Sequence, residues 1–207
     1  MSISAPLRHA LVRSASGLCV ALALAGCATW QAPPQVDETP LRERAVSAIS
    51  HGVRVSATVL GSEDSKRMFG ADVTRNGVQP LWVEVQNGTS RGLWLLRSGT
   101  DPDYFSPHEV AWSMHTMLGG TTNTRMDDYF SELGFKNPIP PGATRSGILF
   151  TNPDHVTKLV NIDLFGSKTL IPFSLFLRVP GGTEDPRLAQ LAASSAGAAV
   201  TDYKDLT

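Results

Sequence analysis

Asp101 and Asp103 stand in the run Asp101-Pro102-Asp103-Tyr104-Phe105, and their type and spacing come closest to a chemical site. Side chains two apart in extended backbone point the same way, so the pair could receive a calcium ion or accept from a pair of donors. A simpler role competes with this: aspartates close turns by accepting backbone N–H bonds. The further oxygen ligands of a calcium loop are missing, and Tyr104 and Phe105 can anchor the segment in a core. Downstream, His108, Trp112 and His115 share one stripe of a predicted helix. Seven residues at 1.5 Å each place the two imidazoles about 10.5 Å apart on a rigid helix. One zinc, with ligands about 2 Å away, cannot join them there. The stripe reads as an exposed polar and aromatic rim, or as a patch that docks a partner. The remaining histidines have no ligand spacing, and neither metal nor cofactor is expected. Asp127, Asp128 and Glu132 suit a helix N-terminus and a solvated face.

Gly88-Thr89-Ser90-Arg91-Gly92 satisfies the Gly-x-Ser-x-Gly pattern of a hydrolase nucleophile. That chemistry needs a strand, a sharp turn exposing Ser, and then a helix. Leu93-Trp94-Leu95-Leu96 instead continues as a short strand before Ser98-Gly99, so the stretch reads as a loop. Asn87-Gly88-Thr89 is formally a glycosylation sequon and reads better as a turn.

A further reactive residue is Cys27. Arg8 and Arg13 precede an uncharged stretch from Ser14 to Ala25, with no acidic residue before Asp37, which is the layout of a signal peptide. The apolar run is about a dozen residues and contains Gly17, whereas a bilayer-spanning helix needs about 20. Small residues end it, and a thiol, the strongest nucleophile among side chains at neutral pH, follows. Leu24-Ala25-Gly26-Cys27 resembles the lipobox of bacterial lipoproteins. The resemblance implies cleavage before Cys27, acylation of its sulfur and new amino terminus, and, with Ala28 next, sorting to the outer membrane. Several acyl chains make a stable anchor where one alone is marginal.

On that reading residues 1–26 are a lipoprotein signal peptide, and residues 27–50, polar and bearing Pro33, Pro34 and Pro40, form a tether in which Leu41–Ile49 can make a short helix. Residues 51–182 form one domain, and 183–207 are an Ala/Ser-rich tail. Removing Arg8 and Arg13 takes the balance from 18 basic and 19 acidic residues to 16 and 19, a formal charge of about −3. No basic block is present, which disfavours nucleic acid as a partner. Cys19 leaves with the signal peptide and Cys27 is alkylated, so no disulfide is expected.

The elements that must position these residues are mostly strands. Val53, Val55, Ala57 and Val59 alternate with Arg54, Ser56 and Thr58, Leu81, Val83 and Val85 alternate with Trp82, Glu84 and Gln86, and the same period of two runs through Val160, Ile162 and Leu164 and through Ile171, Phe173, Leu175, Leu177 and Val179. This is the period of strands with one face buried. Leu81–Val85 and Leu93–Leu96 read as a hairpin, and Pro172 marks an edge or bulge. Ser106-Pro107-His108-Glu109 starts a helix with a capping box that Gly119-Gly120 stops. Thr124 starts a second, ended near Gly134, and Ser62–Phe69 form another before Gly70. The expected fold is mainly β: an immunoglobulin-like antiparallel β-sandwich with a two-helix insertion at about 106–134.

Gly77 to Trp112, "GVQPLWVEVQNGTSRGLWLLRSGTDPDYFSPHEVAW", with "PIPPGATRSGILFTN" after it, resembles the bacterial envelope domain of LssY C-terminal-type proteins. That resemblance spans roughly Val53–Val179 and implies an envelope fold unit with no transferable catalytic residue. Two functions are open at this point. One is a noncatalytic binding or scaffolding lipoprotein of the outer membrane, facing the periplasm, which meets an envelope protein through Asp101, Asp103, Phe105, His108, Trp112 and His115. The other is an envelope small-ligand-binding protein or hydrolase using Asp101, Asp103 and an insertion histidine.

Overall fold

A computed structural model describes residues 30–34 and 36–182. The predicted signal peptide, Cys27 and the tail from 183 lie outside the described residues. Among the described residues, seven strands form two antiparallel sheets, of four and three strands. In the first, β1 (Val46–Ser50), β2 (Val53–Val59), β3 (Gln79–Asn87) and β5 (Thr144–Thr151) lie in that order. In the second, the order is β4 (Trp94–Leu96), β6 (Thr157–Gly166) and β7 (Thr169–Arg178). The predicted alternation supplies the space between them. Val55, Val83 and Leu149 of one sheet meet Val160, Ile162, Phe173 and Leu175 of the other in a continuous apolar core. Burying each large aliphatic or aromatic side chain contributes about 1.5–3 kcal/mol. Pro172 lies on β7, an edge strand that tolerates a missing donor.

The four-stranded sheet is covered on its other face too. Helices α2 (Ser62–Phe69), α4 (Pro107–Trp112) and α5 (Gly120–Leu133) lie over it and enclose a second core of Phe69, Trp82, Val110, Phe130, Ile148 and Phe150. Phe69 and Phe130 stack at 5.1 Å, and Phe130 and Phe150 at 5.9 Å, within the range of favourable aromatic pairs. Trp82 and Glu84 therefore lie on a covered face where the alternation of β3 had placed solvent.

Residues 36–50, read from the sequence as tether, carry structure. Helix α1 (Thr39–Arg44) buries Leu41, and β1 pairs with β2 along its whole length. Arg42 and Arg44 account for the docking of α1, because both bond to carboxylates of the body, Glu84 and Asp64. The expected β3–β4 hairpin is also corrected, since the two strands belong to different sheets. Asn87 turns the chain away: its Oδ1 accepts from Thr89 N at 3.0 Å, and its Nδ2 donates to the carbonyls of Arg91, Ile139 and Pro140. Leu93 then pairs with Ile139, and β5 takes the place beside β3. Gly88–Gly92 lies in this connection, followed by a strand.

Candidate functional site

The loop after helix α3 (Arg97–Thr100) is built around the Asp101 carboxylate. Its Oδ2 accepts from the Asn152 backbone N–H at 2.8 Å, its Oδ1 from Asp103 N at 3.0 Å, and both oxygens face Asn152 Nδ2 at 3.2 Å. Asn152 Nδ2 also donates to the Asp103 carbonyl, and Lys158 Nζ donates to the Asn152 carbonyl at 2.7 Å and to Asp154 Oδ2 at 2.9 Å. Lys158 is only 4% exposed. Asp101 is thus a brace between two loops. Asp103 is exposed and contributes backbone groups to the brace, while the Phe105 N–H pairs with the Phe150 carbonyl at 2.9 Å and its ring packs on the helical core. The sequence did not single out Asn152 or Lys158. Lys158 carries a signal, because it stands in the inward row with Val160 and Ile162.

The capping box of α4 forms as predicted. Ser106 Oγ accepts from Glu109 N, and Ser106 N donates to Glu109 Oε2 at 2.6 Å; that bond holds the Glu109 carboxyl below its usual range. The helix ends at Trp112, however, after six residues, and Ser113 closes it with its hydroxyl on the Val110 carbonyl. Helix α5 starts at Gly120, earlier than Thr124. The separation expected for a rigid helix therefore does not apply: His115 returns on the turn and, with His108, faces one carboxylate of α5. His115 Nε2 lies 2.9 Å and His108 Nδ1 3.5 Å from Asp127 Oδ1. Asp127 was read as a helix-terminal charge, and its meeting with two histidines was not anticipated. Among the described residues, no group of three or more His, Cys, Asp or Glu side chains is arranged to hold a metal ion. Trp112 packs edge-on to the held His115 ring at 6.5 Å and is 68% exposed. Among the described residues, no hydrogen bond or ion pair joins Asp101 or Asp103 to either histidine.

Beyond Trp112, the turn to α5 carries Met117 and Leu118, both fully exposed. They border a groove of about 760 Å³ whose other walls include Trp30, Met114 and Met126. Trp30 is fixed there by its indole N–H, which donates to the Phe69 carbonyl at 2.7 Å, and by an edge contact with Tyr129 at 5.7 Å. Burial pushes the Tyr129 hydroxyl up. A second apolar surface lies on the outside of the three-stranded sheet, where Trp94 pairs with Phe165 and Leu159 with Phe176 across the strands, all four exposed. Aromatic residues at the outward positions of a period-two pattern were its sequence signal.

Two antiparallel sheets with helices over one of them define a mainly β protein with sandwich-like packing. No protein-family model matches the chain, and no curated protein matches it. No helix among the described residues is long and apolar enough to cross a membrane.

Proposed function

We propose that this protein is a noncatalytic, lipid-anchored envelope protein whose domain serves as a binding or scaffolding module. In this reading the signal segment is removed, Cys27 is acylated, and the domain stands on the periplasmic face of the outer membrane. The fold is read as an immunoglobulin-like sandwich with α4 and α5 as an insertion, in keeping with the envelope-domain resemblance of residues 53–179. The surface from Asp101 to His115 meets an envelope protein partner.

The observation that carries the docking surface is Trp112: an aromatic side chain left 68% exposed beside a histidine that Asp127 holds in place. Rigid aromatic groups lose little entropy on binding and dominate many interfaces. The hydrolase reading needs Asp101 or Asp103 beside an insertion histidine, and among the described residues neither carboxylate bonds to one: the Asp101 oxygens are engaged by Asn152 and Asp103 N–H groups, and the histidines turn to Asp127. The test is photo-crosslinking in cells from positions 105 and 112, with Cys27→Ala as the mislocalised control and palmitate incorporation as the readout of acylation. A reproducible partner, captured from both positions only by the anchored form and lost from position 105 in Trp112→Ala, is expected. Capture that is indifferent to both changes would remove this site assignment.

A further inference from the structure

The groove beside Trp30 has a position that the docking surface does not explain. Its lining of Trp30, Gly70, Ala71 and the Met, Leu, Thr, Gly and Asn residues between positions 114 and 126 includes no charged side chain, Arg125 and His115 of that stretch lying outside it. Met117 and Leu118 project from its rim with their side chains wholly in solvent. Exposing two large apolar residues at the tip of one turn is unfavourable by the area they leave in water, and contiguous apolar exposure marks an interaction surface. Trp30 also ties the groove to a particular neighbour. Only Ala28 and Thr29 stand between it and Cys27, and three extended residue steps reach at most about 11 Å. Because Trp30 is itself bonded to the Phe69 carbonyl, anything attached to Cys27 is confined to the vicinity of this groove.

We infer that the Met117–Leu118 turn and the Trp30 groove rest on the surface of the lipid bilayer that receives the Cys27 acyl chains, so that the domain has a fixed membrane-facing side. The inference rests on the acylation proposed above. The chemistry of the rim agrees with a bilayer interface: a Trp whose N–H is already satisfied, methionine and leucine side chains at the tip, and the Thr116 and Thr122 hydroxyls in the same lining to meet headgroups. The exposed strip of Trp94, Phe165, Leu159 and Phe176 lies on the opposite layer and faces away from this surface.

The mature acylated chain offers a clean test, because Cys19 is removed and the Cys27 sulfur is alkylated, leaving any introduced thiol as the reactive one. Full-length Leu118→Cys and Ser167→Cys proteins, matured in cells, are labelled with a nitrobenzoxadiazole dye. They are then placed in vesicles of phosphatidylethanolamine and phosphatidylglycerol. Ser167 lies in the exposed β6–β7 turn of the far sheet. The label at 118 is expected to shift to the blue and to lose most of its emission when doxyl-labelled lipid is included, while the label at 167 does neither. Mass spectrometry of the N-terminal peptide and vesicle flotation report the anchor separately. An acylated, floating protein whose label at 118 behaves like that at 167 overturns the inference and leaves the anchor standing. Loss of acyl mass and flotation together overturns the anchor and the inference with it.

Discussion

Arg42 reaches from α1 to Glu84 in the middle of β3, donating from Nε at 2.9 Å and from Nη2 at 2.7 Å to the same carboxylate oxygen. Its guanidinium also lies 5.5 Å from the Trp82 ring centroid. The bond to Glu84 holds Arg42 above its ordinary range. Glu84 is buried, so deleting Arg42 leaves its carboxylate with only the long bond from Gln86 Nε2 at 3.4 Å, whereas Arg42 is half in solvent and water can replace part of what is lost. Arg42→Ala is expected to cost about 2 kcal/mol, read as a lower midpoint in urea unfolding. Arg42→Lys should recover part of the loss, because an ammonium keeps the charge and gives up the paired geometry.

Acid should weaken the same region through Asp64. Burial alone raises this carboxyl, but the hydrogen bond and charge of Arg44, with further bonds from Gly61 N and Arg67, hold it below the usual range. An unfolded aspartate titrates near about 3.9. Stability contributed by Asp64 is therefore full above that value and lost as pH falls through the lower folded value. Thermal melts between pH 6 and pH 2 should show this loss, and Asp64→Asn should flatten it in part. Asp72, whose carboxyl is also depressed by its bonds to Ser62 and Thr74 despite burial, retains the remainder. An unchanged acid limb in Asp64→Asn would contradict the assignment.

The two aspartates of the 101–105 loop should separate cleanly. Asp101→Ala removes the acceptor for Asn152 and Asp103 N–H groups and is expected to cost about 1–2 kcal/mol, with faster amide exchange at Asn152. Asp103→Ala leaves the brace in place and should stay within about 0.5 kcal/mol of the parent. Equal effects would show that the loop is held by something other than the Asp101 carboxylate.

Gly70 closes α2 in the left-handed conformation at φ 67°, and a Cβ there would come within 2.6 Å of the Gln31 carbonyl oxygen. Gly70→Ala adds the left-handed penalty of roughly 1–2 kcal/mol to that collision. The expected result is a lower melting temperature with release of Trp30, seen as faster exchange of its indole N–H. Slow indole exchange in the variant would show that the segment is held independently of Gly70.

The strands were legible where one face was polar. Val160, Ile162 and Leu164 point inward as their spacing predicts, and Ser106 to Glu109 cap a helix as their residue types predict. Periodicity does not reveal a second covering layer, which is why Trp82 and Glu84 read as outward-facing when helices enclose them. The 36–50 segment is rich in polar residues and carries Pro40, and its order comes from long-range pairs such as Arg44 with Asp64, which leave no local pattern. The meeting of His108, His115 and Asp127 depends on α4 ending at Trp112. No glycine or proline marks that stop, so the continuous apolar pattern through Met114 and Leu118 suggested a longer helix.

Strand β3 alternately feeds both cores: Leu81, Val83 and Val85 on one side and Trp82 on the other. The two apolar layers consequently share a backbone, and neither can dissolve while the other keeps its strands in register. Damage to the helical layer should therefore lower the stability of the sheet layer with it, and the domain is expected to melt as one thermodynamic unit.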